Sequence, residues 1–172
     1  LKSLMQEVQQ GADAMVQSQQ AKLVLSVPDP DVVIMGNKTA LAGALQNLIH
    51  NALTAKPQQA VIHLAASGES DNQGWVNISV TDNGPGIQSE AMKRIFEPFY
   101  TTKSNGTGLG LAVVRSVAQS HQGNIQVANL ADGGACFTLC LPTVDANQLV
   151  HQGYVPTKTA QPQQYFADAA GS

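Results

Sequence analysis

Asn105-Gly106-Thr107-Gly108-Leu109-Gly110-Leu111 opens a run, Leu109 to Ser120, whose apolar residues recur at helical spacing. Three glycines on alternate positions remove Cβ obstruction at a helix start, so consecutive N–H groups can wrap a phosphate at the helix's positive end. Nucleotide folds of several kinds place glycines in this way. A dinucleotide-binding reading fails because the run is not in a first βα turn with an acidic residue about 20 positions later. A P-loop reading fails because no Gly-Lys-Ser/Thr follows.

Upstream, a β-branched run from Trp75 to Thr81 leads into Asp82-Asn83-Gly84-Pro85-Gly86-Ile87. A carboxylate at a strand end followed by two spaced glycines lets the backbone pass close to a flat ligand while Asp82 accepts a hydrogen bond from it. The same pattern also occurs as a plain turn. Further upstream, Asn37 is positioned to cap a helix from Lys38 to about Ala55, with Leu41, Ala44, Leu45, Leu48 and Ala52 as its core stripe. Asn47 and Asn51, four apart, share a face at the margin of that stripe. Asn is a poor helix former, so the pair either bonds a neighbouring loop or serves a ligand.

The remaining elements follow from periodicity. Leu1, Leu4, Met5, Val8, Ala12, Met15 and Val16 predict an N-terminal helix, residues 22–27 a strand stopped by Pro28-Asp29-Pro30, and Val32 to Met35 a second short apolar run. Ala60 to Ala66 and Trp75 to Thr81 form a hairpin across SGESDNQG, and Pro57 closes the helix before it. A short helix near Ser89 to Arg94 and an irregular segment from Glu97 to Gly106 precede the helix 109–120, whose buried side takes in Leu109, Val113 and Val117. Asn124 to Asn129 and Ala135 to Leu141 make a last hairpin. The fold class is α/β, an α+β two-layer sandwich: a mixed sheet with helices packed on one face. Periodicity ends after Pro142, and a flexible tail is expected over 143–172.

The chain has 172 residues, enough for one domain with a sizeable core, and only 12% are charged. Its net charge of -3 offers no broad basic surface, so nucleic acid is not an expected partner. No apolar run approaches the roughly 20 residues of a membrane span, so no direct membrane contact is expected. Cys136 and Cys140, four apart on one strand, lie about 13 Å from each other, beyond disulfide reach, and the setting is read as reduced and cytoplasmic.

In order and spacing, NLIHNA (47–52), DNGPGI (82–87), FEPFYTTK (96–103) and GTGLGL (106–111) resemble the N, G1, F and G2 boxes of sensor histidine kinases, over roughly residues 20–142. The resemblance implies the GHKL superfamily and the Bergerat nucleotide fold. The short PFYTTK-to-GTGLGL spacing and VVRSVAQSHQGNI look like the nitrogen-regulation type, whose members serve regulators of σ54-dependent transcription, flagellar ones among them.

The resemblance further implies ATP and Mg²⁺ as cofactors and assigns roles. Asp82 would accept from the adenine amine, with Gly84, Gly86 and Ile87 against the base. Asn51 would hold Mg²⁺, with Asn47 beside the phosphates or the metal's waters. Gly106, Thr107, Gly108, Leu109, Gly110 and Leu111 would supply the phosphate cradle. Phe96 and Phe99 would anchor the segment before the lid, or serve as core residues only. Tyr100, Thr101, Thr102 and Lys103 would form the lid, Lys103 as a cation reaching the terminal phosphate or a solvated side chain. His50 would contact phosphate or stand as a partly exposed helix histidine. Catalytic roles would fall to Asn47 and Lys103.

None of His50, His63, His121 and His151 has the H-E/D-x-x-N/T-P setting of a phosphoacceptor. The chain is therefore expected to act on a separate dimerisation and phosphoacceptor domain, with a response regulator receiver domain as the next partner. Residues 1–19 would be a helical connector from that domain, residues 20–142 the catalytic domain. The chain alone would be monomeric and nearly inactive, the intact kinase a homodimer. The gyrase, MutL and Hsp90 type ATPases carry a Glu where Asn47 stands; an amide cannot act as a general base near pH 7. Alternatives of the same fold are a nucleotide-sensing interaction module and an anti-sigma-factor-type serine kinase.

Overall fold

The computed structural model describes residues 1–27, 32–56, 58–68, 74–103 and 106–144. From 145 on the expected tail lies outside the described residues, as do the stops expected at 28–30 and 57 and turn residues 69–73. The elements run α1 (Lys2–Ser18), β1 (Lys22–Ser26), α2 (Lys38–Ala55), β2 (Val61–Gly68), β3 (Trp75–Asp82), α3 (Ser89–Met92), α4 (Gly110–Ser120), β4 (Asn124–Asn129) and β5 (Ala135–Pro142). The strands form one sheet in the order β1-β2-β3-β5-β4, with β1 and β2 parallel and the other pairs antiparallel. This is the mixed sheet that the alternation predicts. Val32 to Met35 contributes a single bridge, Ile34 to Thr143, instead of a strand, and Thr143 and Val144 continue the ordered chain past β5.

Strand alternation sends Ile62, Leu64, Val76, Ile78, Val80, Phe137, Leu139 and Leu141 into one apolar cluster shared with the helices. Asn37 caps α2 as expected, its Oδ1 accepting from the Ala40 N–H at 3.0 Å. Leu41, Ala44, Leu45, Leu48, Ile49 and Ala52 are all buried on α2. On α1, Leu4, Met5, Val8, Ala12 and Val16 enter the same cluster, so the stretch expected to be a connector carries part of this core.

The face of α4 differs from expectation. Its buried residues are Val114 and Ala118, whereas Leu109 is 40% and Val113 46% exposed and Val117 is half-buried. Both stripes, 109-113-117 and 114-118, have four-residue spacing, and only the packing of α4 against α2 and the sheet chooses between them. His121 secures that packing. Its Nε2 accepts from the Asn37 N–H at 2.9 Å, and its Nδ1 donates to the Val117 carbonyl at 2.7 Å, so one neutral tautomer ties the end of α4 to the start of α2.

Met5→Ala removes a fully buried side chain from the α1–α2 contact and is expected to destabilise the chain by about 2–5 kcal/mol. Urea unfolding monitored by circular dichroism measures this. An unchanged midpoint would mean that α1 is only a connector.

Candidate functional site

The rotation of α2 that buries its leucines sets Asn47, His50, Asn51 and Thr54 along one wall of a cleft of about 600 Å³. Tyr100, Thr101, Thr102 and Lys103 with Gly106, Thr107, Gly108, Gly110 and Leu111 line the rest, and Ile95 adds an apolar patch. Asn47 and Asn51 are half-buried, His50 exposed. Among the described residues no carboxylate lines the cleft: its ionisable groups are His50, Lys103 and the phenol of Tyr100, and the rest is amides, hydroxyls, backbone and the apolar Ile95 and Leu111.

Backbone contacts hold the glycine wall. Gly108 has φ +69°, and a Cβ there would overlap the backbone of Phe99, whose N–H donates to the Gly108 carbonyl at 2.9 Å. Phe99 itself has φ +65°, and the residue is 76% exposed. Of the two rings expected as anchors, Phe96 meets Phe137 edge-on at 6.4 Å, while Phe99 is joined to the glycine loop through its main chain. The Arg94 guanidinium lies 4.5 Å over the Tyr100 ring and pairs with Glu97, bracing the same segment. Helix α4 begins without a side-chain cap or an acidic residue in its first turn, which leaves its positive end to the cleft.

Asp82, at the end of β3, is 5% exposed; its Oδ1 accepts from the Gly84 N–H at 2.8 Å and the Ala135 N–H at 3.4 Å. Burial raises its carboxyl above the ordinary range, with the two N–H groups and the Lys103 charge partly countering it. A Cβ on Gly84 would lie 2.8 Å from Asp82 Oδ1, so the turn is closed tightly on the carboxylate. Asn129 fixes the far side, accepting from the Ile87 N–H at 2.8 Å and donating to the Ile87 carbonyl at 2.7 Å.

Of the expected site residues, Asn47, His50, Asn51, the four lid residues, Gly106, Thr107, Gly108, Gly110 and Leu111 converge on the cleft. Asp82, Gly84, Gly86, Ile87, Phe96, Phe99 and Leu109 lie outside its lining. Thr54, Ile95 and Asn129 were not anticipated. Thr54 is seven positions after Asn47 on the same helical face, a spacing that could have revealed it; nothing local marks Asn129.

Lys103 turns into the cleft, although the residue as a whole is exposed. Its ammonium donates to Asn51 Oδ1 and to the Asn51 carbonyl, each at 3.4 Å, and to Thr54 Oγ1. Desolvation lowers its pKa, and the Asp82 charge opposes that. The contact bears on a divalent ion: an amide oxygen already facing a cation is a suitable single protein ligand. Among the described residues no cluster of His, Cys, Asp or Glu could hold a metal by itself. Mg²⁺ commonly takes one or two protein oxygens and completes its shell with phosphates and water, so the donor set fits.

Among the described residues no helix is long and apolar enough to cross a membrane. Residues 36–145 match the family model of the histidine kinase-, DNA gyrase B-, and HSP90-like ATPases. The sensor histidine kinase ZraS of Escherichia coli O157:H7 is 47% identical over 109 residues, 63% of this chain and 23% of that protein. The chain thus spans about a quarter of this relative's length. The solved catalytic domain of histidine kinase ThkA superposes with a TM-score of 0.74 at 29% identity, covering 83% of this chain and 91% of that one. The structure of ThkA in complex with the response regulator TrrA gives 0.71 at 26% identity, covering 84% and 40%. With its mixed sheet and a glycine loop that leads into α4 at the cleft, the chain belongs to the histidine kinase-, DNA gyrase B- and HSP90-like ATPase family and carries the ATP-binding fold of histidine kinase catalytic domains.

Proposed function

We propose that the chain is the catalytic domain of a two-component sensor histidine kinase, which positions Mg²⁺-ATP for γ-phosphoryl transfer to a histidine on a separate dimerisation domain. One observation carries the reading: Asn47 and Asn51 face the glycine loop across a cleft that no carboxylate among the described residues lines. A water-activating carboxylate is the group a hydrolase of this fold would need there. Without it, holding the nucleotide for an incoming nucleophile is the chemistry left to these residues.

In this reading the second oxygen of Asp82 accepts from the adenine amine. Guanine presents an oxygen at that place and would be repelled. Amides from Gly106 to Leu111 hold the phosphates at the start of α4. Asn51 Oδ1 holds Mg²⁺, and Asn47 orients water or phosphate beside it. Mg²⁺, when bound, offsets the negative charge of the phosphates. Lys103 and His50 are within the same cleft to meet the terminal phosphate. The catalytic domain covers residues 20–142, with α1 packed on its core as the helix that leads from the dimerisation domain, and it lies on the cytoplasmic side of a homodimeric kinase whose next partner is a response regulator. The short interval from Lys103 to Gly106 supports grouping with kinases of the nitrogen-regulation type.

Steady-state turnover of Mg²⁺-ATP by the chain alone is expected to be slow or undetectable. Labelled ATP plus a dimerisation-domain fragment should yield acid-labile, base-stable phosphate on that fragment. Rapid hydrolysis by the chain, or ATP binding with no such transfer, would reject the kinase reading.

Asp82→Asn would turn an amide donor toward the adenine amine and is expected to weaken ATP binding roughly tenfold to a hundredfold. The fold should not suffer. The raised pKa means that the folded chain keeps this proton to higher pH than the unfolded chain, whose reference value is 3.8. The carboxyl therefore subtracts stability as pH rises through that window, and Asp82→Asn should be as stable as the wild type or more so at pH 7. Thermal melts and ATP titrations on the same samples check both halves; undiminished ATP affinity would remove Asp82 from the base pocket.

A further inference from the structure

The ammonium of Lys103 contacts three oxygens of α2, one of which, Asn51 Oδ1, is the atom assigned above to the metal. We propose that Lys103 is a tethered cation that occupies the metal's place at Asn51 until a Mg²⁺-nucleotide enters and exchanges with it. The inference rests on the reading of this cleft as a Mg²⁺-nucleotide site.

Three features support an exchange. The contacts come from a single turn of α2: the Asn51 side chain, the Asn51 carbonyl and Thr54 Oγ1. The Thr54 hydroxyl donates its one hydrogen to the carbonyls of His50 and Asn51, both at 3.0 Å, so its oxygen is left as an acceptor on the cleft wall. The oxygens are thus prearranged for a cation before any metal arrives.

Secondly, no carboxylate among the lining residues competes for the ammonium, so neutral oxygens with their dipoles turned inward are its ligands. Thirdly, an ammonium and a hard divalent ion cannot share one amide oxygen, because both seek the same lone pairs and repel each other at that distance. Lys103 must leave when the metal is bound. Its flexible four-carbon stem allows this without moving α2. Lys103 is then a positioning residue: it keeps Asn51 turned into the cleft and sets the threshold metal concentration for nucleotide binding, before its charge becomes available to the terminal phosphate.

The test uses the full chain and ADP, which lacks the terminal phosphate and so removes that contact from the comparison. ADP binding is measured by calorimetry across a series of Mg²⁺ concentrations for the wild type, Thr54→Val, Lys103→Met and Lys103→Arg. Thr54→Val and Lys103→Met should lower the Mg²⁺ concentration at half-maximal ADP binding about threefold to tenfold, the range of one modest hydrogen bond. Lys103→Arg, which keeps a cation on the tether, should return it toward the wild type. In nucleotide-free, metal-free protein, the Asn51 side-chain amide resonance should move in Lys103→Met. ADP binding with an unmoved or raised Mg²⁺ midpoint in both variants overturns the exchange alone. A wild-type chain that binds no ADP at any Mg²⁺ concentration overturns the nucleotide reading, and the exchange with it.

Discussion

The rotation of α2 about its own axis is the constraint from which the site follows. Leu41, Leu45, Leu48 and Ile49 are fully or almost fully buried, and the helix cannot turn without exposing them. With that rotation fixed, Asn47, Asn51 and Thr54 have one direction available, toward the glycine loop. The Asn37 cap and the His121 bridge fix the helix lengthwise as well, by joining its start to the end of the helix that carries the phosphate cradle. The two walls of the cleft are therefore set relative to each other by apolar burial and one imidazole, not by contacts inside the cleft.

Inside it, the balance of charge is unusual for a site expected to hold a metal. Asp82 is withdrawn into the end of the sheet, where backbone N–H groups of Gly84 and Ala135 hold it. The lining is left neutral or basic. Such a site binds a polyanion well and a free divalent ion poorly, so the metal is expected to arrive with the nucleotide. The withdrawal of Asp82 also separates recognition of a base from handling of phosphate, because the carboxylate lies outside the lining that the glycine loop and Lys103 share.

Much of this was legible in the sequence because the motifs are local. The glycine loop, the Asn pair and the capped helix each depend on spacing within a turn or two, and alternation alone sufficed for β2, β3, β4 and β5. What was not legible depends on contacts between distant residues. The stripe Leu109-Val113-Val117 has the same spacing as Val114-Ala118, and only packing against α2 and β4 decides which is buried. Phe99 resembles an anchoring ring in sequence, yet a left-handed backbone turns the ring outward and leaves the anchoring to its amide. Asn129, 42 residues after Ile87, enters the base-side turn through a sheet register that no local pattern encodes. Thr54 has local spacing in its favour, but a threonine in a helix carries no signal of its own until Lys103 is seen to meet it.

The central claim is that one cleft, walled by α2 and by the start of α4, receives the nucleotide. Amide chemical shifts recorded during titration with Mg²⁺ and a non-hydrolysable ATP analogue test it most directly. The account predicts that the perturbed resonances cluster at 47–54, 82–87 and 100–111, with α1 and the exposed side of α4 around Val113 unmoved. Shifts concentrated away from those three stretches, or none at millimolar analogue, would contradict it.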